Sequence, residues 1–465
     1  MALGRQKTKC RRSRTCCKRD EIRNRIGSKT MKSTLFLLCG ILINSSIFAQ
    51  DTLSLNEAVS IALKKNYQIL ISQYDVERVS NQANPGTAGL MPTLDANVGV
   101  NAGINNSSIE FADGRIQEVK GAKSLTETAG VTTGYSLQGL GQFYALKDLK
   151  TKLQLAEANN RVRIESTIIQ VCNAFYQMAM LQEILESNRQ ALQISRERVK
   201  RLEVRQEYGA ALSTDILNAR VDLNTDSVKV LTNIRDFQNA RNALNYLLAE
   251  PISKQYAVNT NLVFAEQMQL EQLLEQTMNQ NAQIIAARIN ERSAELTHKV
   301  TQSGYYPIIK VNAGYLVNKS QSEFGFALSN ITDGINAGAT VSWRLYNGSL
   351  NRYNTQNAKI NIESKKLELE EQKLGMEQAL QDAWNIYQNA KFVLLTEIDN
   401  LSTAEANFNR MSELYKLGQI NTTQFREAQL NLLRSQNSIS TARFTAKLAE
   451  IDIFRISGSL LTEVE

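Results

Sequence analysis

LDANVGVNAGIN at residues 94–105 and AGVTTGYSL at residues 129–137 decide how this chain folds. In the first stretch Leu94, Ala96, Val98, Val100, Ala102 and Ile104 alternate with Asp95, Asn97, Gly99, Asn101, Gly103 and Asn105. In the second, Ala129, Val131, Thr133, Tyr135 and Leu137 alternate with Gly130, Thr132, Gly134 and Ser136. A period of two with one apolar face is a half-buried strand. Strands of about 10 residues with this pattern suit a wall between lipid and a watery lumen. Taken alone, the plainer reading is a two-stranded excursion of a soluble protein. The flanking sequence reverses that preference.

On both sides of the strands the pattern becomes helical. Upstream, Ser54 and Glu57 fit a capping box, and a helical pattern runs from Leu55 through Tyr67, Ile71, Tyr74 and Val79 towards Ala83. Downstream, residues 142–208 contain neither proline nor glycine and predict one helix about 100 Å long. Within it Leu181, Leu185, Asn188, Leu192, Ser195, Val199 and Leu202 follow the 4-3 spacing of a coiled-coil seam. Gly209 ends that helix, and Ser213 or Thr214 is expected to cap the next. The return helix carries Leu217, Val221, Asn224, Val228 and Leu231 at heptad spacing and stops before Pro251.

The order then recurs. A shift of 215 residues places Leu55 on Leu270, Asn66 on Asn281, Gln68 on Gln283 and Ile69 on Ile284. It also places Gly89-Leu90-Met91-Pro92 on Gly304-Tyr305-Tyr306-Pro307. Strands are expected at about 93–105 and 125–137, and again at about 308–317 and 335–345. A second long helix is read over 349–417, interrupted at Gly375. Gly418 ends it, and Asn421, Thr422 or Thr423 caps the return. Two tandem repeats follow, residues 50–251 with a hairpin tip at 208–215 and residues 252–465 with a tip at 415–424. The loops at 106–124 and 318–333 are expected to be polar connections at the outer end of the strands.

Composition excludes several function classes. The 465 residues hold 4 prolines, which favours long uninterrupted helices. A single histidine, His298, leaves no His dyad or multi-His metal site within one chain. The formal charge of +7 arises in the first 50 residues, which carry 12 Lys/Arg and 2 Asp/Glu, so it marks a leader and not a nucleic-acid surface. Residues 31–49 read as a secretory signal with an apolar core at 35–43 and cleavage after Ala49. Residues 1–30 read as an upstream start-site artefact or leader, with Met31 the expected start. Leu38 stands where a lipoprotein signal needs a small residue, so Cys39 is read as unlipidated. Cys172 is then the mature chain's lone thiol and is read as a packed hydrophobe.

Four strands cannot close a barrel, because single-chain barrels begin at eight, and open strand edges cannot face lipid. Other copies must complete the sheet. At this point the chain resembles the TolC-like outer membrane efflux protein family. The resemblance is carried by the Leu-x-x-Ala start at Leu55, Gly-x-x-Pro before each odd strand, the Leu345-Tyr346-Asn347-Gly348 exit, and the two Gly-led tips. It implies a mainly helical protein with a membrane β-barrel: a homotrimer with a 12-stranded barrel continuing into an α-helical periplasmic tunnel. It further implies a periplasmic adaptor and an inner-membrane pump as partners, with no cofactor, no metal and no catalytic group.

The resemblance also implies site residues. Adaptor docking falls on Tyr208, Gly209, Ser213 and Thr214 at the first tip, and on Leu417, Gly418, Thr422 and Thr423 at the second. The plainer reading of these glycines and hydroxyls is helix capping, and the two readings are compatible. The periplasmic entrance falls on Tyr415, Gln424 and Glu427, with Asp215 as the counterpart in the first repeat. Gln424 departs from the more acidic family pattern. Glu427 is then expected to form a carboxylate ring that favours cations, against the plainer reading of a solvated helix carboxylate. Arg426 is the alternative, pairing with a carboxylate to hold the entrance shut. Tyr135, Tyr315 and Trp343 are expected in an aromatic girdle. The function expected is a duct passing small toxic compounds from a periplasmic pump complex to the exterior. The alternatives are a duct for type I protein secretion or metal-ion efflux, and a helical periplasmic spacer without a pore.

Overall fold

The computed structural model describes residues 52–464 apart from 266–267 and 325–326. The signal-sequence and upstream-leader readings lie outside the described residues. The first half runs β1 (Thr52–Leu53), α1 (Leu55–Lys65), α2 (Tyr67–Gln82), β2 (Thr93–Glu110), β3 (Ile116–Gln138), α3 (Gly141–Glu207) and α4 (Ser213–Leu247). The second runs β4 (Ala257–Val258), α5 (Leu270–Gln280), α6 (Ala282–Gln302), β5 (Ile308–Ser322), β6 (Ser329–Ser342), α7 (Leu350–Lys416), α8 (Thr422–Ser457) and α9 (Leu460–Val464). Both long helices, α3 and α7, have 67 residues.

The capping box at Ser54 and Glu57 is present, and its hydrogen bonds hold the Glu57 carboxyl below the usual range. The helical pattern from Leu55 to Ala83 is two helices, not one. Asn66 breaks it by capping α2: its Oδ1 accepts from Gln68 N at 2.8 Å and from Ile69 N at 3.4 Å. Its Nδ2 donates to Leu247 O at 2.7 Å, at the end of α4. Asn281 caps α6 from Gln283 N at 2.9 Å and Ile284 N at 3.2 Å, and donates to Ile456 O at 2.9 Å, near the end of α8. Gly375 does not interrupt α7. Its Cβ position meets nothing within 4 Å, and the roughly 1 kcal/mol that a helical glycine costs is small against the packing of its neighbours.

The four long strands form one antiparallel sheet in the order β2-β3-β5-β6. They extend beyond their expected bounds. The expected loop at 106–124 is mostly strand around a tight turn, with Phe111 N donating to Arg115 O at 2.9 Å. The expected loop at 318–333 is likewise strand up to Ser322 and again from Ser329. At its other end β6 stops at Ser342, so Trp343 and Leu345 lie beyond the strand.

Register places most apolar residues of the four strands on one face, with Ile308 and Leu316 on the other. Leu137 lies opposite Ile309, which lies opposite Val341. Ala96, Val131, Tyr315 and Ile335 form another row, and Val98, Ala129 and Val317 the next. From the Leu137 row to the Ala129 row is about 26 Å along the strands, or about 20 Å of height at a barrel's usual tilt. The next row out carries the Glu127–Lys319 ion pair at 2.9 Å, which marks a polar border.

The largest core sits at mid-length, where α1, α3, α4, β4, α8 and α9 meet around Ala58, Phe175, Met178, Leu244, Phe444, Ile451 and Leu460. Cys172 is fully buried there, and burial pushes its thiol up to about 12. Towards the sheet the helices pack in the order α2-α3-α6-α7, and towards the tips in the order α4-α3-α8-α7.

Candidate functional site

The two helical tips end in the same backbone motif. Gly209 (φ +69°) donates to Gln206 O at 2.9 Å, and Ala210 N donates to Arg205 O at 2.8 Å. Gly418 (φ +74°) donates to Tyr415 O at 3.1 Å, and Gln419 N donates to Leu414 O at 2.9 Å. These are Schellman closures, and only glycine adopts their left-handed backbone without strain. Tyr208, Leu212 and Leu417 stand exposed beside them. Neither Ser213 nor Thr214 caps α4, whose N-cap position is Leu212 with no side-chain bond. Asn421 caps α8 in a capping box with Gln424, at 2.9 Å and 3.2 Å, so Gln424 closes the helix end instead of reaching inward and Thr422 and Thr423 follow the cap.

The expected entrance residues separate. Tyr415 is 3% exposed and stacks on Phe425 with centroids 4.5 Å apart and planes 11° apart. It is thus packed between α7 and α8 within the chain and does not project freely. Asp215 lies in the first turn of α4, where a carboxylate complements the helix dipole. Glu427 is exposed on α8. Arg426, its neighbour, points the other way and is buried.

Arg426 joins three helices. Its Nη1 and Nη2 donate to the two oxygens of Asp226 on α4, both at 2.8 Å. Nη1 also donates to Ser195 Oγ on α3 at 3.2 Å and to Gln429 Oε1 at 3.1 Å. Ser195 Oγ donates to Asp226 Oδ2 at 2.6 Å, and Gln429 Nε2 donates to Ala191 O at 2.9 Å. One turn nearer the tip, Arg198 of α3 pairs with Asp222 of α4. Bidentate Arg–carboxylate pairs are directional as well as strong, so this cluster fixes α8 against the α3–α4 hairpin at one height.

Sequence reading found Arg426 but missed Asp222, Asp226, Arg198 and Gln429. The signal was present: Ile216, Ala219, Asp226 and Val230 lie on the buried face of α4, and an acid on such a face needs a cation. The expected seam of Leu217, Val221, Val228 and Leu231 is the exposed face instead.

The strand sheet supplies the second part of the site. Its polar face carries Asn97, Asn101, Asn312, Asn336, Thr128, Thr132 and Thr340 among glycines. A Cβ on Gly130 would lie 2.7 Å from Tyr315 O, and one on Gly314 would lie 2.7 Å from Val131 O. The two strands approach too closely on that face for side chains there, as at the inside of a curved sheet. The expected girdle does not form one belt. Tyr135 and Trp343 lie near the helical end of the sheet, whereas Tyr315 sits four residues above the Tyr135 row, about 13 Å along the strand. Trp343 Nε1 donates to Tyr305 O at 3.0 Å, and Tyr315 OH donates to Asp333 at 2.6 Å.

Among the described residues no group of His, Cys, Asp and Glu could hold a metal, and no helix is long and apolar enough to cross a membrane. Residues 58–250 and 273–459 match the family model described as outer membrane efflux protein. Outer membrane protein TolC of Vibrio cholerae is 21% identical over 275 residues, and the match spans 59% of this chain and 59% of that protein. The CmeC outer membrane channel of Campylobacter jejuni superposes with a TM-score of 0.72 at 13% identity, over 87% of this chain and 86% of that one. The outer membrane protein VceC of Vibrio cholerae superposes with a TM-score of 0.67 at 17% identity, over 87% and 96%. At such identities the likeness establishes the fold.

Proposed function

The chain belongs to the outer membrane efflux protein family, and we propose that it is the outer-membrane duct of a tripartite export system. In this reading it is a homotrimer whose twelve strands close one barrel and whose helices continue that barrel as a tunnel through the periplasm. Its tips dock a periplasmic adaptor and receive small toxic compounds from an inner-membrane pump.

One observation carries the reading: every layer of the chain ends in two unpartnered edges, one from each half. The sheet ends in β2 and β6. The upper helices end in α2 and α7, and the lower ones in α4 and α7. The helical edges bear exposed apolar side chains at helical spacing: Tyr67, Ile71 and Tyr74 on α2, Leu217, Val221, Val228 and Leu231 on α4, Ile360, Leu367 and Leu374 on α7. Unpaired strand edges cannot face lipid. Joining β6 of one copy to β2 of the next also brings the helical edges together. A groove of about 720 Å³ between α7 and α8, lined in part by Ile386, Ala390, Val393 and Ala442, offers a seat for such a stripe.

The polar, concave face of the sheet then lines the lumen, and the apolar rows face lipid. Arg426 and Asp226 clasp α8 to the α3–α4 hairpin near the entrance, and releasing that clasp lets α7 and α8 move outward. The chain acts by conducting and carries no chemistry of its own. The test is oligomer mass together with single-channel conductance of the detergent-purified protein in planar bilayers. A trimer with discrete conductance is expected. A monomer or dimer that never inserts overturns the duct.

A further inference from the structure

On the lumen-facing side of the four-stranded part, Asp95 and Lys310 are the charged residues; the remaining positions are Asn, Thr, Ser, Gly, Gln, Ile308 and Leu316. Both are exposed, and neither has an ion-pair partner among the described residues. They occupy corresponding places, each the third residue of its strand, in β2 and β5.

Register fixes their relation. Asp95 lies opposite Thr132, which lies opposite Gly314, four residues along β5 from Lys310. The offset is about 13 Å along the strand and about 10 Å across it. In a barrel with strands tilted by about 40–45°, these displacements oppose each other and leave the two residues within about 4 Å of one height. Their direct separation of about 16 Å exceeds the reach of a salt bridge and the Debye length of about 8 Å at physiological salt. A passing ion therefore meets them as separate charges.

We infer that Asp95 and Lys310 alternate around the tunnel end of the barrel lumen, three of each in the trimer, and that their balance leaves the barrel with no preference for either sign of charge. This rests on the trimeric duct proposed above. The barrel then admits cationic, anionic and zwitterionic solutes alike, and any charge selection is made at the helical entrance.

The experiment is the reversal potential of single channels under a salt gradient, at 0.1 M and 1 M salt. The variants are Asp95→Asn, Lys310→Gln, the double variant of both, and the exchanged pair D95K/K310D. Asp95→Asn is expected to shift the permeability ratio towards anions and Lys310→Gln towards cations, each at least about twofold at 0.1 M, with smaller shifts at 1 M, where screening is stronger. Both double variants keep the balance and are expected at the wild-type ratio. Conducting single variants that leave the ratio unchanged, or shift it the same way, overturn the ring, as does a biased exchanged pair. A wild-type protein that stays a monomer or dimer and never inserts overturns the duct instead.

Discussion

Replacing Arg426 by alanine should release the lower end of α8. The guanidinium makes two 2.8 Å bonds to Asp226 and further bonds to Ser195 at 3.2 Å and Gln429 at 3.1 Å. The side chains of Arg426 and Asp226 are 11% and 6% exposed, so the discount for a solvated pair does not apply. Without Arg426, Asp226 keeps only the 2.6 Å bond from Ser195. Removing one partner of a buried pair costs about 3–5 kcal/mol. At about 1.4 kcal/mol per tenfold, the clasped arrangement loses a factor of roughly 10² to several thousand per copy. Arg198→Ala is the internal comparison. Its partner Asp222 is 34% exposed, so a smaller effect is expected. Single-channel recording should find Arg426→Ala in a higher-conductance state for a much larger fraction of time than wild type. A double-mutant cycle with Asp226→Ala should recover most of the loss as coupling. Unchanged conductance and open fraction, or fully additive losses, refute the clasp.

Four further outcomes are expected. Gly209→Val and Gly418→Val force a Cβ into a left-handed turn at about 1–2 kcal/mol each, with open space at Gly209 and only an ordinary contact with the Arg205 side chain, at 3.9 Å, at Gly418; the trimer should persist while crosslinking to the adaptor falls, and normal crosslinking counts against tip docking. Glu427→Ala should lower the cation-to-anion permeability ratio, and an unchanged ratio removes the carboxylate ring. Asn281→Ala loses two capping bonds and the bond to Ile456 O, and should lower stability to denaturant by about 2 kcal/mol; a change below a few tenths contradicts the role assigned to it. Burial pushes the Cys172 thiol up to about 12, so the reactive thiolate is scarce at pH 8 and maleimide should label only the unfolded protein; fast labelling of the folded trimer refutes that packing.

The strands and long helices were legible because their periods run unbroken over many residues. Rows such as Ala96, Val131, Tyr315 and Ile335 follow from alternation alone once register is known. Local stops were read where a side chain bonds its own backbone, as at Ser54 and Glu57. One was missed at Asn66, whose local bonds from Gln68 N and Ile69 N turn a continuous pattern into two helices, while its bond to Leu247 O ties that break to a distant element. The site suffered most because its partners lie far apart in the chain. Arg426 is 200 residues from Asp226, and nothing in the local sequence of either joins them. Tyr415 looked free because its partner Phe425 lies across the turn on another helix.

The misplaced seam on α4 is informative in its own right. Ile216, Ala219, Asp226 and Val230 face α3, while Leu217, Val221, Val228 and Leu231 form a second stripe one residue away and stay exposed. A helix with two faces at heptad spacing needs two partners, and within the chain α4 packs chiefly on α3. Exposed apolar stripes of this length mark protein contact surfaces. The same surplus recurs on α7 at Ile360, Leu367 and Leu374, and as unpaired backbone on β2 and β6. Three kinds of incompleteness at different heights, always on the same two flanks, are what a wedge cut from a closed tube must have. A globular helical spacer would need to satisfy each of them separately. In the proposed trimer, one rotation of an identical copy meets them all.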